Sequence, residues 1–171
     1  MFGRRQEAAP ANAYKMQQRM FSIGDDYWIE TGSGQRAFKV DGKALRIRKT
    51  LELQGPGGQT LYTIKEKLVS VRDVMTIEDA QGQVATVKKA LISPLRERYN
   101  IELRGGVEWK AQGNIVDHQY EISNDSGTIA EVGKKWFAVR DSYGIQVAAG
   151  QDDALLIAVV IVIDQMAHPT R

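Results

Sequence analysis

Ala154-Leu-Leu-Ile-Ala-Val-Val-Ile-Val-Ile163 is the stretch on which the fold turns: ten residues without a polar member, closed by Asp164. A helix that spans a membrane needs about 20 apolar residues, so this run is too short for a span. Its second half, Val159 to Ile163, is β-branched throughout, and propensity alone makes it a strand. Its flanks favour a helix instead. Asp152 and Asp153 supply an N-cap and negative charge at the positive end of a helix dipole. No turn residue interrupts Ala154 to Ala167, and Pro169 follows. These signals predict a helix over Asp153 to Ala167. A helix that is apolar on every side must be buried on every side, so the rest of the chain has to enclose it.

Working outward, the enclosure shows in the glycines. Gly34, Gly58, Gly82 and Gly106 recur every 24 residues, and Gly127 follows after 21. Around each lies a Gly/Asp/Asn turn between apolar-polar stretches, as in IETGSGQRAFKV from Ile29 and IEDAQGQVATVKK from Ile77. Glycine supplies the positive φ of a tight turn, and flanks that alternate with period two form the strands of a hairpin. Alternation is clear in Ala44-Leu45-Arg46-Ile47-Arg48 and in Gln119-Tyr120-Glu121-Ile122. Five hairpins, with further strands near Tyr14–Phe21 and Tyr143–Ala148, give about twelve strands. A propeller blade needs four strands, roughly 40 residues, so two strands per repeat fit a meander better. A barrel of that size has an interior large enough to need a plug. The predicted fold is therefore mainly β: a closed antiparallel barrel of about twelve strands around a central hydrophobic C-terminal helix.

At 171 residues the chain has room for one domain, and 43% hydrophobic and 26% charged residues are ordinary for a globular protein. Met1 to Ala13 reads as a flexible tail, leaving 14–168 for the barrel domain. The tail has no apolar segment after its arginines and does not read as a secretory signal. The absence of cysteine suits a reducing cytoplasm. A net charge of +2 is too small to suggest nucleic-acid binding. His118 and His168 are the only histidines, a count that excludes a His-rich metal site, and no cofactor is expected.

The C-terminal third, from Gly127 to Met166, carries Lys134-Lys135-Trp136-Phe137, Asp141-Ser142-Tyr143-Gly144-Ile145, Asp152-Asp153-Ala154-Leu155 and Asp164-Gln165-Met166. Together with MFSIGDDYWIETGSGQRAFKVDGKALRIRKTL, from Met20 to Leu51, these pieces resemble the LURP-one-related proteins, relatives of the tubby C-terminal domain and of phospholipid scramblases. The resemblance spans about Tyr14 to Met166. It implies a twelve-stranded barrel around a hydrophobic C-terminal helix, in agreement with the residues read by themselves. Its functional implications diverge: tubby domains bind phosphoinositide headgroups, scramblases are linked to calcium-dependent lipid movement, and plant LURP-one relatives are linked to defence.

Two sets of residues are candidate sites. Asp141, Asp152 and Asp153 occupy the place of the acidic segment of scramblases, but calcium takes about six to eight oxygen ligands and too few are present. A turn at Tyr143-Gly144 followed by a helix cap explains the same residues. Arg46 and Arg48 share a strand face, as do Lys65 and Lys67, and a convergence of the four would hold lipid phosphates by charge-assisted hydrogen bonds. The simpler role for such cations is to solvate outer strand positions, with Glu52 and Glu66 lying among them.

No serine sits in an activating motif, and His118, placed at the start of a strand, reads as structural. Neither GxGxxG nor a P-loop occurs. The chain thus reads as a non-enzymatic, monomeric binding or scaffold module, with an anionic phospholipid or a protein as partner. On this reading it is cytoplasmic, either free or peripheral at a membrane, with calcium-dependent scrambling as the remotest alternative. The helix is expected to tolerate no charge: Val160→Asp should prevent folding.

Overall fold

The computed structural model describes residues 12–17, 26–42, 50–66, 74–90, 97–134 and 142–168. The five turn glycines mark five hairpins. These are β2 (Tyr27–Thr31) with β3 (Arg36–Asp41), β4 (Thr50–Gln54) with β5 (Thr60–Glu66), and β6 (Val74–Asp79) with β7 (Gly82–Ala90). Then come β8 (Glu97–Leu103) with β9 (Glu108–Asn114), and β10 (Gln119–Asn124) with β11 (Gly127–Gly133). All five glycines have positive φ, from 84° at Gly106 to 129° at Gly127. The tight turns close on backbone bonds such as Gly34 N–H to Thr31 O at 2.9 Å and Gly58 N–H to Gly55 O at 3.0 Å. Four of the hairpins shift register opposite Ile29/Glu30, Leu53/Gln54, Ile77/Glu78 and Ile122/Ser123, where the second strand carries one extra residue: Ala37, Leu61, Val84 and Ile129. A bulge of this kind adds the local twist that a barrel needs.

Closure comes from the two ends of the chain. Strand β1 (Asn12–Gln17) runs antiparallel to β12 (Ser142–Val147), from Asn12 opposite Val147 to Gln17 opposite Ser142. On its other side β1 meets β2, with Tyr14 opposite Thr31 and Lys15 opposite Glu30. Every neighbouring pair is antiparallel, and the twelve strands close in the order β1-β12-β11-β10-β9-β8-β7-β6-β5-β4-β3-β2. Strand β1 begins at Asn12 and β12 at Ser142, each slightly earlier than the strands expected near Tyr14–Phe21 and Tyr143–Ala148. The alternating stretch Ala44 to Arg48 lies outside the described residues.

The interior is filled by helix α1 (Asp153–Ala167). Leu155 to Ile163 are all buried, meeting inward residues such as Leu51, Leu53, Ile77, Ile101, Ile122 and Ile145 in one core. The β-branched half of the run forms helix because of where it lies. A closed barrel has no free strand edge inside, so an extended segment there would leave its backbone N–H and C=O groups unpaired. A helix pairs its own. The intrinsic penalty is roughly 0.5 kcal/mol per β-branched residue. Burying each such side chain contributes about 1.5–3 kcal/mol, so burial wins.

Candidate functional site

Both ends of α1 carry acidic residues, and the two ends are used differently. At the start, Asp152 is the N-cap: its Oδ1 accepts from the Leu155 N–H at 3.0 Å, and its Oδ2 accepts from the Tyr62 hydroxyl at 3.0 Å. Asp153 Oδ2 accepts from Asn12 Nδ2 at 2.7 Å and from the Tyr14 hydroxyl. The calcium candidates Asp152 and Asp153 therefore tie the helix to β5 and β1 through the protein's own donors. Asp141 lies outside the described residues. Burial, followed by the hydrogen bond and charge of Asp153, pushes the Tyr14 hydroxyl far above the ordinary tyrosine range. Burial followed by the charge of Asp152 does the same to Tyr62.

On the outer face, cations sit beside carboxylates of nearby strands and turns. Lys65, the one headgroup candidate among the described residues, lies 2.7 Å from Glu78. Arg46, Arg48 and Lys67 lie outside them. Lys39 pairs with Asp26 at 3.0 Å, Lys88 with Glu102 at 3.4 Å, Lys89 with Glu97 at 3.7 Å and Lys15 with Glu30 at 3.8 Å. Arg104 grips Asp79 with two nitrogens, at 2.9 and 3.1 Å, and its hydrogen bonds hold the Asp79 carboxyl below the usual carboxylate range. Each such pair on a wet surface is worth only about 0–1 kcal/mol, but alternating signs also cancel the field that would draw an anion. Trp28 lies in this outer layer, with the Arg36 guanidinium 4.8 Å from its ring centre. Trp109 is in the core, and Trp136 is outside the described residues.

The other end of the helix brings together residues that the sequence reading left apart. Asp164 is buried, and its Oδ1 lies 2.7 Å from His118 Nε2 and 3.2 Å from His168 Nδ1. One donor atom from each of the three residues falls within a sphere of contacts no wider than 4.8 Å. His118 does not begin a strand: it is the last residue of the β9–β10 turn, at φ 54°, and β10 starts at Gln119. The turn is built by His118 N–H donating to Ile115 O at 3.1 Å and by Asn114 bonding both the N–H and the carboxylate of Asp117. The Tyr143 ring stacks on His118 at 4.2 Å, with their planes 26° apart. Burial, then the Asp164 charge, holds the Tyr120 and Tyr143 hydroxyls well above the ordinary tyrosine range. Two histidines are too few for a His-rich centre, yet they suffice for a mixed set completed by a carboxylate. The one local signal was Asp164-x3-His168, one helical turn apart.

Comparison with known proteins agrees with the fold. The chain is 28% identical over 153 residues to the uncharacterised protein YxjI of Bacillus subtilis (strain 168), covering 90% of this chain and 92% of that one. An X-ray structure of a protein from Arabidopsis thaliana superposes with a TM-score of 0.70 over 94% of both chains, at 16% identity, which establishes a shared fold. The sequence model of the LURP-one-related proteins matches residues 12–164, from the first barrel strand to the buried aspartate that ends the helix core. With the barrel, its closing strand pair and the buried part of its helical plug inside that span, the chain belongs to the LURP-one-related family.

Proposed function

We propose that this protein is a non-enzymatic binding or scaffold module that meets its ligand on the outer strands and loops of the barrel. The observation that carries this is the occupied interior. Leu156 to Ile163 have no accessible surface, so the space in which other barrels of this kind of architecture hold a small ligand is filled by the chain itself. Of the described serines, Ser142 is buried at the start of β12, and Ser126 is in the β10–β11 turn with its N–H donated to Asn124. No helix among the described residues is long and apolar enough to cross a membrane.

A finer reading places an anionic headgroup on Arg46, Arg48, Lys65 and Lys67. It draws support from register: Lys65 stands opposite Thr50, two residues beyond Arg48 in the chain. The close Glu78 partner of Lys65 weakens it. On this reading the protein is peripheral at a membrane surface rather than free in the cytoplasm.

Co-sedimentation with vesicles of neutral or anionic lipid, together with titration of a long-chain fatty acid, tests both. Stoichiometric fatty-acid uptake would overturn the filled-interior proposal. Sedimentation only with anionic vesicles, weakened by salt and lost in Arg46→Glu/Arg48→Glu, would establish the headgroup reading. No sedimentation at low salt would remove that reading and leave a protein partner.

A further inference from the structure

We propose that His118, Asp164 and His168 form a binding site for one divalent transition-metal ion at the C-terminal end of the helix. The proposal is independent of the surface-ligand reading and concerns a different part of the molecule.

The donor set comes first. Two imidazole nitrogens and one carboxylate oxygen suit zinc, cobalt, nickel or ferrous iron better than calcium or magnesium, which prefer oxygen. The three side chains come from the β9–β10 turn, from the last turn of α1 and from the residue that caps its end, and the barrel holds these elements in place. Asp164 is 5% exposed and His118 7%, whereas His168 is 39% exposed, which leaves an ion a route in and an open coordination position toward solvent.

A second observation concerns His168. Its Nε2 lies 3.1 Å from the backbone oxygen of Val116. A carbonyl only accepts, so Nε2 carries the hydrogen, and in the neutral ring Nδ1 presents a lone pair. That lone pair faces Asp164 Oδ1 at 3.2 Å. Two acceptors at this distance repel unless a positive species, a proton or a metal ion, lies between them. An outer carbonyl that fixes the tautomer and aims the other nitrogen is also the arrangement by which metal-binding histidines are oriented.

Position on the helix adds a third reason. A carboxylate in the last turn sits at the negative end of the helix dipole, where it is disfavoured and a cation is favoured. Among the described residues Asp164 lies within ion-pair distance of the two imidazole rings and of no lysine or arginine. A bound ion would spread neighbouring ligand atoms to roughly 3.4 Å for bonds of about 2.1 Å. His118 Nε2 and Asp164 Oδ1 are 2.7 Å apart, so the required opening is small and within reach of the soft terminal torsion of Asp164.

The test uses the full, tag-free chain, stripped with a chelator and titrated with Co²⁺ and Zn²⁺. Because the chain has only two histidines, NMR reads each imidazole separately. One equivalent of Co²⁺ should bind with tetrahedral-type visible bands, and Zn²⁺ should shift both imidazoles. His168→Gln, at an exposed position that leaves the fold intact, should weaken binding by at least about tenfold. Asp164→Asn should abolish it; if that variant does not fold, His168→Gln decides alone. No uptake at millimolar ion would overturn the proposal and leave a proton-bridged cluster. Uptake that leaves the imidazole signals unmoved, or is unchanged in His168→Gln, would overturn it equally by placing the ion elsewhere.

Discussion

Replacing Val159 with aspartate tests the helical plug most directly. Val159 has no accessible surface, and Leu155, Leu156, Val162 and Ile163, one turn to either side, are buried and apolar. Val160 is equally buried but lies one turn from Asp164, whose charge would add to the effect; Val159 isolates burial. A carboxyl forced to stay neutral at pH 7, about three units above its ordinary pKa near 3.9, costs about 4 kcal/mol. Leaving the neutral acid without a hydrogen-bond partner adds about 1–3 kcal/mol. Loss of the valine's apolar contact adds about 1–2 kcal/mol. The total, about 6–9 kcal/mol, is comparable with the whole stability of a small domain. The sign with pH follows from the direction of the shift. Burial raises the folded pKa of the new group, so its penalty is least below the unfolded pKa and grows as pH rises toward the folded one. Urea unfolding followed by tryptophan fluorescence should give a penalty about 3 kcal/mol smaller at pH 4.5 than at pH 7. In Val159→Asn the penalty should not depend on pH. A Val159→Asp variant that melts cooperatively at both pH values, with a pH-independent loss under about 2 kcal/mol, would mean that water reaches the middle of the helix and would refute the plug.

Four further outcomes follow from the geometry. Gly113→Ala should destabilise by more than about 2 kcal/mol by chemical denaturation, because its Cβ would lie 2.6 Å from the Gln119 carbonyl oxygen at φ 143°. Gly34→Ala, where the Cβ meets open space at φ 86°, should cost only the left-handed strain of about 1–2 kcal/mol. Asp152→Ala should lower stability by about 1–2 kcal/mol, since it removes both the N-cap and the acceptor of the Tyr62 hydroxyl; a neutral result in thermal melts would show the cap to be dispensable. In alkali, Tyr14, Tyr62, Tyr120 and Tyr143 have raised folded pKa values, so their stabilising contribution is intact below about pH 10 and is lost as pH climbs toward those values. Tyrosinate absorbance should rise together with the loss of circular dichroism; ionisation of all six tyrosines near pH 10 in a folded chain would contradict this.

The sequence by itself determined the hairpins and the helix, because both are written in local chemistry. Positive φ at Gly34, Gly58, Gly82, Gly106 and Gly127 is a property of single residues, and the Asp152 cap acts over three positions. The all-apolar run then left burial as the only outcome. What a residue does across the barrel was not legible. The closing pair of Asn12 and Val147 joins the two ends of the chain, and its register depends on the tilt and stagger of every strand between them. Lys65 reads as a free cation until β6 brings Glu78 beside it. His118 and Asp164, 46 residues apart, meet only because the β9–β10 turn caps the end of the barrel from which the helix emerges. Local conformation is set by short-range sterics and hydrogen bonds, which sequence spacing records. The charge pairs and the His118–Asp164–His168 cluster depend on strand stagger and on how far the plug extends, which only the closed barrel fixes.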